Sequence, residues 1–135
     1  EYILELINKG RLQINKDYAK KIVYHDPCYL GRHNGIYDEP REVLKKITGV
    51  ELNEFAEARD DSLCCGMGGG RVWMETPKAE RFSNLRVEEA VELKAEVLVT
   101  SCPYCITNFE DSRLVLNCED TILVKDITEI LQEVI

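Results

Sequence analysis

Residues 96–105 read EVLVTSCPYC, an unbroken apolar run from Glu96 to Thr100 that passes through Ser101 into Cys102 and Pro103. A run of this kind suits a strand buried on both faces, as in a parallel sheet, better than a half-exposed one. Pro103 suits the first turn of a helix, and a helix is expected from there to about Leu114. The local order is therefore strand, cysteine, helix, with Cys102 and Cys105 forming a CxxC where one gives way to the other.

Strands and helices alternate on either side of this stretch. Residues 21–25 (KIVYH) form a first strand, stopped by Asp26 and Pro27, with Cys28 just past its end. Glu39 and Pro40 open a helix through Lys46, Gly49 marks its exit, and Val50, Leu52 and Phe55 alternate like a shorter, more exposed strand. The longest helix is expected over residues 77–94, with Pro77 at its start and Phe82, Leu85, Val87, Ala90, Val91 and Leu93 as its apolar face. Residues 121–124 (TILV) make a fourth strand, and Asp126 to Val134 a last helix capped by Asp126 or Thr128. Ahead of them all, residues 1–9 (EYILELINK) have helical spacing and end at Gly10.

This alternation predicts an α/β fold, a parallel four-stranded sheet with helices on both faces and right-handed crossovers. Open sheets of this type gather ligands at the carboxyl ends of their strands. Cys28 follows strand one, Cys64 and Cys65 follow strand two, and Cys102 follows strand three, so a metal site is expected at that edge.

Five of the six cysteines share one pattern: Cys28, a gap of 35 residues, the adjacent Cys64 and Cys65, a gap of 36, then Cys102 and Cys105. Alone, the CxxC fits a redox dithiol whose pKa a helix N-terminus lowers, or a pair of ligands to one zinc, one iron or adjacent irons of a cluster. The vicinal pair is sharper. Adjacent side chains in an extended loop point different ways, so they serve separate irons more readily than one small ion; two buried thiols or a vicinal disulfide are the plain alternatives. Gly66, Gly68, Gly69 and Gly70 could aim backbone N–H groups at sulfides as nests do, or simply make a mobile loop. Cys118 stands outside the pattern in a polar turn and reads as structural. His25 and His33 fit either a tuning or relay role or an ordinary satisfied side chain. Arg32 and Arg71 flank the cysteine loops and could offset negative charge, while Trp73 and Met74 either wall the site or pack under the loop.

At 135 residues the chain is long enough for one domain with its own core. Six cysteines are too few for a disulfide scaffold. No apolar run nears the roughly 20 residues that cross a bilayer, and no secretory signal is visible. A reducing compartment follows, where clustered cysteines are more often ligands or catalysts than cross-links. The net charge of −8 argues against nucleic acid as a partner.

The runs YHDPCYLGRHNGIYDEPREVL (24–44), SLCCGMGGGRVWMETPKAERFSNLR (62–86) and SCPYCITNFEDS (101–112) together resemble the cysteine-rich CCG domain of the B-type and D-type iron–sulfur subunits of heterodisulfide reductase, with wording closest to the D type. Similar domains occur in iron–sulfur subunits of glycolate, lactate and glycerol-3-phosphate oxidoreductases. The resemblance implies a noncubane [4Fe-4S] cluster on Cys28, Cys64, Cys65, Cys102 and Cys105, at which a disulfide is split in one-electron steps. It also implies redox partners (a ferredoxin-like domain, a flavoprotein or a membrane cytochrome subunit), a small thiol or disulfide substrate, and a setting such as methanogenesis. The location it implies is the cytoplasm, or the membrane periphery through a partner subunit. The family usually carries two such domains in tandem, so residues 1–135 are expected to be a single CCG domain, the C-terminal fragment of a longer chain. Met67 stands where the family commonly has glycine. The function expected is that of a cluster-binding domain of a heterodisulfide reductase-like oxidoreductase. The rival readings are an electron-transfer module for a flavin dehydrogenase and a structural zinc domain; zinc can also replace a cluster in a purified sample.

Overall fold

A computed structural model describes all residues 1–135. Its elements are α1 (Tyr2–Asn8), β1 (Lys21–Tyr24), α2 (Asp38–Lys45), β2 (Glu51–Glu54), α3 (Phe82–Glu92), β3 (Val97–Thr100), α4 (Pro103–Leu116), β4 (Leu123–Asp126) and α5 (Ile127–Val134). The strands form one all-parallel sheet in the order β2-β1-β3-β4, which is the α/β architecture expected from the alternation.

Because side chains along a strand alternate between faces, the sheet divides the core in two. Ile22, Tyr24, Val97 and Val99 pack with α2 and α5 on one face. Val23, Leu98 and Val124 pack on the other with Val87 and Ala90 of α3 and Phe109 of α4. The chain leaves β1 in one direction to reach β2, then returns past it to β3. The gap between the carboxyl ends of β1 and β3 is thus the switch point where open α/β sheets bind ligands.

Two elements differ from expectation. Residues 78–80 form a separate 3₁₀ turn, α3 begins only at Phe82, and α4, at 14 residues, is the longest helix. Arg81 breaks the run: its backbone is extended and its guanidinium is drawn to Asn108 and Asp111 of α4. The inner face of α3 is correspondingly polar at its start. Ser83, Asn84 and Arg86 are buried while Phe82 and Leu85, expected inside, are exposed. Ser83 receives a hydrogen bond of 2.7 Å from Ser112, both hydroxyls being buried between the helices. The fourth strand lies over Leu123–Asp126 rather than 121–124, because α4 runs on to Leu116, Asn117 closes it in the left-handed conformation, and Thr121 and Ile122 both donate to the Cys118 carbonyl. The last helix carries a capping box, with Asp126 accepting from Thr128 N–H and Glu129 from Asp126 N–H.

No helix is long and apolar enough to cross a membrane.

Candidate metal centre

Each cysteine loop leaves the sheet at the same edge. Cys28 sits in the turn after β1, where its carbonyl accepts from His33 N–H. Cys64 and Cys65 lie in the long connection after β2, and Cys102 is the N-cap of α4, with Cys105 buried in the helix's first turn. All six cysteines are free.

Cys65 and Cys105 are buried in one apolar layer, and Cys64 packs against it. The neighbouring Cys65 thiol, together with burial, pushes the Cys64 thiol well above the ordinary range. The neighbouring Cys105 thiol, with burial, pushes the Cys65 thiol up to about 12. Cys102 packs against the same apolar layer; Cys28 does not enter it. No three His, Cys, Asp or Glu side chains stand together at metal-holding spacing. The structure thus gathers four of the five expected ligands, Cys64, Cys65, Cys102 and Cys105, in or against one apolar layer and leaves the fifth, Cys28, in the turn after β1.

Several donors oppose the raised thiol values. Gly66 N–H donates to Cys64 Sγ at 3.4 Å, the Met67 N–H lowers Cys65, and the charge of Arg32 lowers Cys64. Gly66 reaches its position with φ +86°, and a Cβ there would stand 3.4 Å from Phe82. Asn108 of α4 donates to the Cys65 carbonyl at 2.5 Å, fixing the pair against the helix that carries Cys105. With N–H groups close to Cys64 and Cys65, these cysteines form a soft donor set suited to iron–sulfur or zinc binding.

Beside Cys65 opens a pocket of about 480 Å³, reached also by Met67, Arg71, Met74 and Thr107. Arg71 lies over the Phe82 ring at 5.6 Å. Trp73 is 88% exposed and packs under nothing, whereas Met74 does help to wall the pocket. Arg32 does more than flank the site: its guanidinium donates at 2.8 Å to the Ser62 carbonyl and so ties the Cys28 turn to the Cys64 loop.

A stronger tie escapes the sequence. Arg41 of α2 makes a two-pronged bond to buried Asp26 at 2.7 and 2.8 Å, and reaches Glu54 of β2 at 2.7 and 2.8 Å. Asp26 in turn accepts from Arg59 N–H at 2.8 Å. The turn bearing Cys28, the strand β2 and the approach to Cys64 are thereby held in one network. Opposite charges on neighbouring elements were the only signal, and periodicity does not show which pairs are buried.

Of the histidines, His33 is exposed and sits 5.2 Å from the Tyr29 ring. His25 is fully buried, and desolvation with the nearby Arg86 charge lowers it to about 3, so its ring is neutral. Cys118 lies where α4 turns back toward the start of β4, at the amino end of the strands, with its thiol toward the Arg113 carbonyl at 3.7 Å. Cys118→Ser should therefore leave bound metal unchanged within error by elemental analysis. Loss of metal in that variant would contradict the placement.

Residues 22–110 match the family described as the cysteine-rich domain, CCG. The chain is 39% identical over 133 residues to "Probable iron-sulfur-binding oxidoreductase FadF" of Bacillus subtilis, covering 98% of this chain and 19% of that protein. To the EtfAB:quinone oxidoreductase of Syntrophomonas wolfei it is 36% identical over 138 residues, covering 97% and 19%. To the D-type subunit of the dihydromethanophenazine:CoB–CoM heterodisulfide reductase of Methanosarcina barkeri it is 37% identical over 133 residues, covering 98% and 32%. The chain spans between a fifth and a third of the length of these relatives.

Proposed function

The chain belongs to the CCG cysteine-rich domain family, and from that membership we propose that it is the cluster-bearing domain of an iron–sulfur oxidoreductase, with Cys28, Cys64, Cys65, Cys102 and Cys105 as ligands and a thiol or disulfide as substrate. The observation that supports this most is the gathering of Cys64, Cys65, Cys102 and Cys105 in or against one apolar layer at the carboxyl edge of the sheet, with an open pocket reaching Cys65.

A noncubane [4Fe-4S] cluster bound there would supply one-electron redox chemistry. The chain's own residues do the rest. Thiols held above their ordinary pKa keep their protons until metal arrives and release them on binding, so loading is favoured as pH rises. Backbone N–H groups at Gly66 and Met67 and the charge of Arg32 then stabilise the thiolates. The pocket at Cys65 admits substrate to one side of the sulfurs, and Arg71 and Met74 bound it. Reduction of a disulfide to two thiols consumes two electrons and two protons; a redox partner of the ferredoxin, flavoprotein or cytochrome type supplies the electrons, in the cytoplasm or at the membrane surface.

Similarity to an EtfAB:quinone oxidoreductase favours a second reading, an electron-transfer module that never touches substrate. Electron paramagnetic resonance of the oxidised, anaerobically loaded chain separates the two. Under the first reading, adding a small thiol or disulfide changes the signal. An unchanged signal across a panel of both favours the second.

A further inference from the structure

The layer that holds Cys65 and Cys105 has polar atoms with no partner at its floor. His25 extends β1 by one residue, its N–H donating to the Val99 carbonyl at 2.8 Å. The register pairs Tyr24 with Val99, which sets His25 beside Thr100, the last residue of β3. By strand alternation both side chains lie on the face of Val23 and Leu98, the face of the cysteine layer. The ring contacts agree: His25 meets Phe109 edge-on at 4.8 Å and Phe55 at 6.5 Å, and both phenylalanines belong to that layer.

His25 is 1% exposed and Thr100 0%, yet neither ring nitrogen of His25 nor the Thr100 hydroxyl has a hydrogen-bond partner. Arg86, whose guanidinium stacks 4.2 Å from Phe55, leaves its Nε–H unpartnered nearby. Buried polar groups left unpaired are costly, and several on one face are exceptional. A neutral imidazole carries one N–H, a threonine one O–H and an arginine Nε one N–H. The floor thus holds unused donors. The apolar layer above it contributes the buried sulfurs of Cys65 and Cys105 as acceptors, while the buried polar side chains Ser83, Asn84 and Ser112 lie where α3 meets α4.

We propose that His25 and Thr100 are hydrogen-bond donors to the sulfur of the bound cluster and its thiolates, and that they raise its reduction potential by stabilising the more negative, reduced state. This rests on the cluster reading above. The general chemistry is that of hydrogen bonds to sulfur, which tune iron–sulfur potentials along with net charge and solvent access.

The chain has two histidines, so labelling is unambiguous. In the chain labelled with ¹⁵N-histidine and loaded anaerobically with iron and sulfide, pulsed electron paramagnetic resonance should show a weak nitrogen coupling. That coupling should persist in His33→Gln and vanish in His25→Asn. Thr100→Val is nearly isosteric and lacks the donor; it should shift the oxidised-to-reduced ratio at fixed potential about tenfold toward oxidised, a fall of about 59 mV for one electron. His25→Phe should shift the same way, and His25→Asn, which keeps an N–H, should recover part of it. A loaded chain without the nitrogen coupling, or Thr100→Val with the wild-type potential, overturns this proposal while leaving the cluster in place. A chain that takes up no iron overturns the cluster reading, and this inference with it.

Discussion

Cys64→Ser and Cys65→Ser should each lower bound iron and acid-labile sulfide, or alter the oxidised cluster's electron paramagnetic resonance signal, and neither should be silent. The two cysteines are adjacent in sequence, and Cys65 shares a buried layer with Cys105. A multinuclear cluster can engage both, one thiolate on each of two irons, so that either substitution leaves an iron short of a ligand. A single Zn²⁺ uses one thiolate of the adjacent pair with the remaining cysteines to reach four-coordination, and substitution of the other would then be nearly silent. Cys65→Ser is expected to be the more damaging. It removes a thiol buried in the same layer as Cys105, whereas Cys64 is partly exposed. One silent substitution together with one equivalent of zinc would defeat the cluster reading.

Asp26→Ala should destabilise the fold by about 3 kcal/mol in urea unfolding, the lower end of the range for stranding one partner of a buried ion pair. Arg41 and Asp26 are 2% and 5% exposed, and the substitution leaves the guanidinium buried with Glu54 as its counter-charge and the Tyr37 carbonyl as a neutral acceptor. Glu54 is a far weaker partner, its side chain being 44% exposed. Glu54→Gln should therefore cost less than about 1 kcal/mol. The pH dependence has a definite sign. Burial alone would raise the Asp26 carboxyl, but hydrogen bonds from Arg41 and the Arg59 N–H, with the Arg41 charge, outweigh it and hold the carboxyl below its usual value. The unfolded chain therefore binds this proton first on acidification. The contribution is complete above the ordinary aspartate pKa of about 4 and fades as pH falls through the lower native value. The stability gap between wild type and Asp26→Asn should narrow over that acidic range and stay constant above it. A gap that widened on acidification would show that Asp26 is not the ion-paired carboxylate described.

The sheet was legible because its signal is local. Residues 21–25 and 96–100 are apolar runs ending in turn formers and cysteines, and a parallel sheet with its cysteine loops on one edge follows from their order. The start of α3 was not legible: Pro77 and the spacing of Phe82 and Leu85 imitate a longer amphipathic helix, and only the reach of Arg81 to α4 breaks it. The candidate site divides in the same way. Cysteine spacing marks Cys28, Cys64, Cys65, Cys102 and Cys105, but the groups behind them depend on contacts between distant elements. Arg41 and Asp26 are 15 residues apart, and Arg86 and Ser62 are 24 apart. A charged residue on a helix reads as solvated until its neighbours are known. Thr100 closes the apolar run 96–100, and its place beside His25 appears only when β1 is laid beside β3.

The most direct test of the cluster assignment is elemental: iron, zinc and acid-labile sulfide measured per chain after anaerobic preparation, with the visible spectrum recorded on the same sample. The expected result is a brown protein with iron and sulfide in equal amounts, several of each per chain, and zinc well below one equivalent. A colourless protein with one zinc and no labile sulfide, unchanged by anaerobic incubation with iron and sulfide, would contradict it.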